Sequence, residues 1–462
     1  MRVAIAGASG FVGQLLIREL QDDFDLIALG RNSRTSQGST HSERVVWRSC
    51  DLFALLQTEK ALEGAELGVY LVHSMLPRAR LTQASFEDCD LLLADNFARA
   101  AKRAGLKRII YLGGLIPDSG KLSPHLRSRR EVEYALASHG VPVTTLRAGL
   151  VLGSQGSSFQ MLYLLVRRLP VMICPRWTNT LTQCISARDV IELIRFCIKD
   201  PRTLQRTYDV GSPEVLSYRQ LMATLAELMG KRRIFFSVRF FSPGLSRLWV
   251  QLITGASRNL VRPLVESLRH EMIVRDPELL RLYGRPLASI RESLRRCLGN
   301  IRPTLRSSTQ TRKRQLQGIP EVRSIQRLPL PGGRSAAWLA ESYFLWLPSF
   351  LRPFVRVHRI DNSTWVFRAP LLKRPLLTLV HSRERSTDDR QLFYVRGGLL
   401  VVANQSEHAR LEFRAVLNGQ SALAAIHEFR PAMPWFVYVW TQARIHLWVM
   451  RGFRRWLRMH AA

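Results

Sequence analysis

Gly7, Gly10 and Gly13 recur at three-residue intervals in Gly7-Ala8-Ser9-Gly10-Phe11-Val12-Gly13, directly after an apolar run and before a stretch of helical spacing. That order suits a phosphate-binding turn. Gly7 permits a tight reversal, Gly10 lets the backbone approach a pyrophosphate, and Gly13 lets the helix pack closely on its strand. The free amides of the helix N-terminus, around Ser9, Phe11 and Val12, would bind the anion. Glycine triplets are common, so the strand before and the helix after carry the specificity. A glycine-rich turn with no ligand is the plainer alternative. At the end of the second strand an NAD-binding chain usually places an acid for the adenosine ribose. Here the run is Leu29-Gly30-Arg31-Asn32-Ser33-Arg34. Arg31, with Arg34, suits the 2′-phosphate of NADP, and two solvated arginines in a basic chain is the competing reading. NADP is therefore the expected cofactor, with NAD as the second choice.

Such a turn needs a parallel sheet to hold it. From Met1 to about residue 300, short β-branched runs alternate with longer stretches of helical period, the signature of repeated βα units. VAIAG, DLIALG, LGVYLVHSM, KRIIYLGG and VPVTTLRAG are the strand candidates, nearly continuous in apolar residues because strands of such sheets are buried on both faces. Phe11, Leu15, Leu16 and Leu20 follow helical spacing, as do Leu91, Leu92, Ala94, Phe97 and Ala101. The expected fold class is α/β: a Rossmann-type doubly wound sheet over residues 1–300. A basic linker is expected over 301–335, where Ser, Thr, Gln, Pro, Gly and Arg show little periodicity. Residues 336–462 read as a smaller α+β domain, in which alternating, turn-separated runs precede a Trp-rich stretch of helical spacing.

Composition narrows the partners. The chain has 462 residues, 46% hydrophobic and 23% charged, which excludes disorder throughout and allows a sizeable core. Its net charge of +32 predicts a surface that attracts phosphates, anionic lipid or nucleic acid. The excess is steepest late, with 26 Lys+Arg against 9 Asp+Glu over residues 301–462. No helix-turn-helix, RRM or zinc pattern accompanies that charge, so nucleic acid is the less favoured partner. The six cysteines make no C-x-x-C pair and no Cys/His cluster, which argues against a metal site and a disulfide framework and for a reducing compartment. Met1 runs straight into strand-like residues, so no secretory leader is expected. The most apolar late stretch is interrupted by Gln442, Arg444 and His446, so no spanning helix is expected.

On these residues the N-terminal 300 resemble an extended, atypical short-chain dehydrogenase/reductase, in the branch related to nitrogen-metabolite-repressor-type NAD(P)-binding proteins. Beyond the glycine loop, the resemblance rests on Asp51-Leu52, where such proteins contact the adenine. It rests also on LVHSM with His73, on Asn96, on LRAGLVLG from Leu146 to Gly153, and on Pro175-Arg176-Trp177. It implies cofactor contacts at Asp51, Leu52 and His73. The order LVHSM, HLRSR, LRAG, PRW and GSPEVLSY is similar to a bacterial subfamily with an uncharacterised C-terminal extension, and no settled substrate comes with it. The extension itself resembles, weakly, a helix-grip domain of the polyketide-cyclase/START type.

Reductases of this superfamily carry a Ser, a Tyr and a Lys four residues after the Tyr. This chain departs at all three. Gly113-Gly114 replaces the expected serine pair, and His125-Leu126-Arg127-Ser128-Arg129 stands where Tyr-x-x-x-Lys should start. Ser123 and Pro124 are good N-cap and first-turn residues, so His125 and Arg129 are expected on one helix face at i and i+4. Histidine exchanges protons near neutrality, and Arg129 can hold a ribose or a phosphate. Against that stands a role limited to contact with cofactor or solvent. Tyr134 is not promoted, because the position four residues on is Ser138. Arg147 and Arg176 fall just past strand ends, where ligands of open α/β sheets bind, and either holds an anion or braces a loop. Asp189 either approaches the site or only caps the next helix.

Near the C-terminus Trp435, Trp440, Trp448 and Trp456 interleave with Arg444, Arg451, Arg454, Arg455 and Arg458. Tryptophan and arginine favour the lipid–water boundary, so peripheral contact with an anionic membrane is one expectation. Closure of the sheet core by the aromatic face is the other. The function that follows is an NAD(P)-binding oxidoreductase-like protein of the cytoplasm, with hydride transfer to a carbonyl or quinone-like small molecule. The alternative is a dinucleotide-binding redox sensor, regulator or assembly factor without turnover.

Overall fold

The architecture is taken from a computed structural model, which describes residues 1–31, 43–73, 81–118, 120, 122–238, 251, 253–255, 261, 265–301, 321–402 and 409–460. The chain divides into two compact units: residues 1–76 with 93–312, and residues 77–92 with 313–462.

The first unit is built on a seven-stranded sheet. Its strands are β1 (Arg2–Ala6), β2 (Asp25–Gly30), β3 (Val45–Ser49), β4 (Leu67–Tyr70), β6 (Arg108–Gly114), β7 (Val143–Ala148) and β12 (Thr207–Val210). They lie in the order β12-β7-β6-β4-β1-β2-β3, and every neighbouring pair is parallel. Five of these are the apolar runs read from the sequence. They are legible because the central strands are buried on both faces, as in β4, where all four residues are buried. β3 and β12 lie at the edges, and their mixed composition (VVWRS, TYDV) hides them.

The helices between and after these strands include α1 (Phe11–Leu20), α2 (Leu55–Leu62), α3 (Phe86–Arg103), α4 (Pro124–Ala137), α5 (Ser157–Arg168), α6 (Ala187–Lys199) and α7 (Tyr218–Leu228). One core gathers Val3, Ile5, Leu16, Leu20, Val69, Ile110 and Leu146 with Val190, Ile191 and Ile194 of α6. β1 has β2 on one side and β4 on the other, so strand order reverses there. In open α/β sheets ligands bind at the carboxyl ends of the strands beside that reversal. Three two-stranded pairs elaborate this unit: β8 (Val151–Leu152) with β11 (Ile185–Ser186), β9 (Val171–Pro175) with β14 (Ile234–Val238), and β10 (Leu181–Thr182) with β13 (Leu216–Ser217). α8 (Glu278–Tyr283) and α9 (Ile290–Gly299) follow.

The second unit holds an eight-stranded sheet. In chain order its strands are β5 (Leu81–Gln83), β15 (Val322–Pro329), β16 (Arg356–Arg359), β17 (Thr364–Arg368), β18 (Leu377–His381), β19 (Arg390–Gly397), β20 (Arg410–Val416) and β21 (Ser421–Phe429). Their spatial order is β16-β17-β18-β19-β20-β21-β15-β5, and all neighbours are antiparallel except the β15–β5 pair. α10 (Ala336–Phe350) and the C-terminal α12 (Gln442–Met459) share the sheet's aromatic core, where Phe344, Phe393, Phe413 and Phe453 meet; α11 (Trp435–Trp440) precedes α12.

Two boundaries differ from the sequence reading. Residues 77–92 belong with the second unit, and β15 falls inside the stretch expected to be a basic linker, of which 302–320 lie outside the described residues. The polar side chains of β15 concealed it. Three of them have partners within the fold: Ser324 Oγ lies 2.9 Å from His446 Nε2, Gln326 donates to the Gln83 carbonyl at 2.7 Å, and Arg327 pairs with Asp88 at 2.7 Å. All six cysteines are free and buried. Among the described residues no helix is long and apolar enough to cross a membrane, and no cluster of His, Cys, Asp and Glu could hold a metal.

Candidate functional site

The glycine loop runs from β1 into α1. Gly7 has φ +90°, and a Cβ there would stand 3.2 Å from the Leu71 backbone at the end of β4. A Cβ on Gly13 would collide with the Gly7 carbonyl and lie 2.8 Å from Ala8 Cα, so only glycine lets α1 seat on β1. Gly10 is the N-cap of α1 and lends no side-chain cap. The first-turn amides, which have no intrahelical acceptor, therefore open on the cleft. Val12 lines that cleft with the glycines, while Ser9 is exposed beside it. Phe11 reaches back to a later segment. A Cβ on Gly153 would strike its ring, so the last glycine of LRAGLVLG makes room for the loop's aromatic side chain. This is a cradle that side chains would fill, and it fits the diphosphate of a dinucleotide.

The cleft has a volume of about 390 Å³ and is lined by the loop, His73, Gly113, Gly114, His125 and Arg129. Residues from β6, from α4 and from the segment after β4 thus meet in front of α1. Ser123 caps α4 by accepting from the Leu126 amide at 3.3 Å, and Pro124 occupies the first turn. His125 and Arg129 stand one turn apart on that helix. Arg129 Nη2 donates to His73 Nδ1 across 2.6 Å. A guanidinium has no acceptor, so His73 carries its proton on Nε2. The His73 and His125 rings lie 5.2 Å apart. Arg129 is buried, and its side chain crosses Gly114: a Cβ there would come within 3.3 Å of Arg129 Cγ. Gly114 thus leaves room for the Arg129 side chain, while a Cβ on Gly113 would instead meet the Tyr111 ring at 2.9 Å.

Ser267 was not visible in the sequence. Its Oγ lies 3.0 Å from His125 Nδ1 and 3.1 Å from Ser123 Oγ, which joins the imidazole to the N-cap of its own helix. It stands 142 residues from His125 in a stretch with no motif, so no local signal pointed to it.

Arg31 follows β2 and is exposed, and Asp51 and Leu52 follow β3, on the side of the sheet that an adenosine would occupy. Arg34 lies outside the described residues. The Leu52 carbonyl accepts a buried hydrogen bond from Asn96 Nδ2 at 2.8 Å, and Asp51 Oδ1 accepts from the Phe53 amide. Asn96→Leu would strand that carbonyl, and the expected loss is about 1–3 kcal/mol of stability in chemical denaturation. Unchanged stability would show the bond to be idle.

Other residues are brought elsewhere. Arg147 does not line the cleft; it forks onto Glu133 at 2.9 and 3.1 Å, bracing α4 against β7, because a carboxylate already faces it. Arg176 is exposed, and Trp177 packs edge-on against Tyr218. Asp189 accepts from Ser186 Oγ and from the Ala288 amide, a cap and a brace. Tyr134 is 57% exposed on α4 and does not line the cleft.

Comparison with known proteins bears on the domain that carries the loop. Residues 7–162 match the family described as NAD(P)H-binding. A curated relative, the auxiliary protein GraX of Staphylococcus aureus (strain NCTC 8325 / PS 47), is 28% identical over 144 residues, 31% of this chain. The chain spans less than half of that relative, 43% of its length. Three solved structures share the fold. An NADPH-dependent quinone oxidoreductase of Escherichia coli, complexed with NADPH, superposes with a TM-score of 0.53 at 22% identity, over 64% of this chain and 100% of that one. Triphenylmethane reductase of Citrobacter sp. gives 0.52 at 18%, over 65% and 100%. A nucleoside-diphosphate-sugar epimerase of Staphylococcus aureus gives 0.52 at 17%, over 64% and 100%. A Rossmann-type NAD(P)-binding domain is part of this chain.

Proposed function

We propose that this protein is an NADP-dependent oxidoreductase that transfers hydride to a carbonyl or quinone-like small molecule. The observation that carries the reading is the meeting of His125 and Arg129 with the glycine loop in one cleft. When bound, the reduced dinucleotide supplies the hydride. His125 supplies the proton to the substrate oxygen, and Ser267, itself bonded to Ser123 Oγ, holds the imidazole at Nδ1 so that Nε2 is the exchanging atom. Arg129, held by His73, anchors the cofactor's ribose or phosphate near the reacting end. Arg31 and Arg34 favour the 2′-phosphate, and an NADPH complex among the structures of like fold agrees with that choice. Asp51 and Leu52 would take the adenine.

A second reading has its own support. The missing Ser, Tyr and Lys, and a relative named as an auxiliary protein, favour a dinucleotide-binding sensor, regulator or assembly factor without turnover. In the second unit, an antiparallel sheet with a long C-terminal helix in its core is what a helix-grip domain requires. On either reading the protein belongs in the cytoplasm, in peripheral contact with an anionic membrane.

Titration with NADPH and NADH, followed by nicotinamide fluorescence, tests the cofactor. NADPH is expected to bind at least about tenfold more tightly, since one charge-assisted pair supplies about 1.5–3 kcal/mol. Equal or reversed affinity would sink the NADP choice, and no binding of either would remove both readings. Turnover on aldehydes, ketones and quinones then separates enzyme from sensor.

A further inference from the structure

α12 is amphipathic in an unusual sense. Its buried side, with Val449, Met450, Phe453 and Leu457, closes the core of the second unit. Its outer side is a row of Arg444, Trp448, Arg451, Arg455 and Arg458, all exposed and spaced by four, three, four and three residues. A cation therefore recurs along a helix about 27 Å long, with a tryptophan among them. Ile445, 52% exposed, and Trp440 of α11, 64% exposed, extend the row with apolar surface. No Asp or Glu occurs anywhere in residues 430–462, against six arginines.

We infer that this face of α12, with Trp440, is the surface by which the protein docks on an anionic lipid bilayer. The inference rests on the peripheral-contact reading above and gives it residues. A flat row of arginines matches a plane of lipid phosphates, and indole edges with an isoleucine between them suit the headgroup boundary. Nucleic acid fits less well. Single-stranded nucleic acid stacks its bases on open aromatic faces. Here Arg444 covers the Trp440 ring at 3.9 Å, and the Trp448 ring lies 4.4 Å from that of Phe350, which itself stacks on Trp346 at 4.5 Å. Both indoles already have a partner on the face, and the edges are what remains.

Flotation of the full chain with vesicles of equal parts phosphatidylglycerol and phosphatidylcholine, against phosphatidylcholine alone, tests the assignment. Two triple variants carry the same change in net charge. One is Arg444→Glu with Arg451→Glu and Arg455→Glu. The other, on strands β16, β17 and β19, is Arg356→Glu with Arg368→Glu and Arg396→Glu, all exposed. Circular dichroism and tryptophan fluorescence, measured for every variant beside wild type, report that the second unit is intact. Wild type is expected to float with the anionic vesicles only. The α12 triple should lose at least about tenfold in partitioning while the strand triple keeps its affinity within about threefold, since the attraction falls off within a Debye length of the surface. Equal loss in both triples would mean that net charge alone acts, and overturns the assignment. Full binding by the α12 triple sinks the face but leaves peripheral contact standing; no binding by wild type sinks both. Two other outcomes also overturn it: an oligonucleotide bound through the same arginines in the absence of vesicle binding, or conversion of a dimer to a monomer by the α12 triple.

Discussion

Gly10→Trp is expected to reduce NADPH affinity at least about 100-fold, or about 2.8 kcal/mol, without unfolding the first unit. Gly10 is exposed at the mouth of the cleft and caps α1. Its Cβ would meet only the Gly7 carbonyl, at 3.1 Å, a contact that a small shift relieves. The indole beyond that Cβ would stand at the mouth of the cleft, in the space a pyrophosphate needs. Binding should therefore fail while the melting temperature moves by less than about 5 °C. Gly13→Val makes the contrast, since its side chain would strike the backbone of Gly7 and Ala8 and force α1 off β1. That variant should lose stability and binding together. Calorimetric titration beside thermal melting separates the two, and undiminished NADPH affinity in Gly10→Trp would mean that the loop is not the seat of the cofactor.

The second large effect concerns turnover. His125→Ala is expected to lower kcat by about 10²–10⁴, the range that a positioned acid–base group supplies, with NADPH affinity changed less than about threefold. The imidazole lines the cleft and is tied at Nδ1 to Ser267, so its removal leaves the glycine loop and Arg129 in place. Ser267→Ala should fall between the two, because it loosens the ring without removing it. Arg129→Ala should behave oppositely and act mainly on cofactor binding, since that side chain is fixed by His73 and packed over Gly114. A His125→Ala protein with the wild-type rate on a substrate of the wild type would end its role as proton donor and shift the balance to the sensor.

The parts of this molecule that sequence made legible are those whose physics is local. β1, the glycine loop and α1 were readable because strand, turn and helix are consecutive, and because Gly7 and Gly13 answer backbone demands within a few residues. The pairing of His125 with Arg129 on one face of α4 followed from helical spacing and the Ser123-Pro124 start. The second unit's sheet was readable where residues alternate, as in β19 and β20. It was not readable in β15, whose Arg327 and Gln326 are satisfied by partners far along the chain. Arg147 misled for a related reason. A cation past a strand end looks like a ligand-binding residue until the carboxylate that neutralises it is seen.

By itself, then, the sequence determined the glycine turn between β1 and α1, the parallel sheet that presents it and the placing of His125 and Arg129 one turn apart on α4, all set by neighbours within a turn or a strand. Tertiary structure alone decided that Ser267 supports His125, that His73 holds Arg129, that Arg147 serves Glu133, and which side of α12 is left to solvent. The physical reason is that a hydrogen bond or an ion pair depends on distance in space, and residues such as His125 and Ser267, 142 positions apart, carry no mark of one another until the chain has folded.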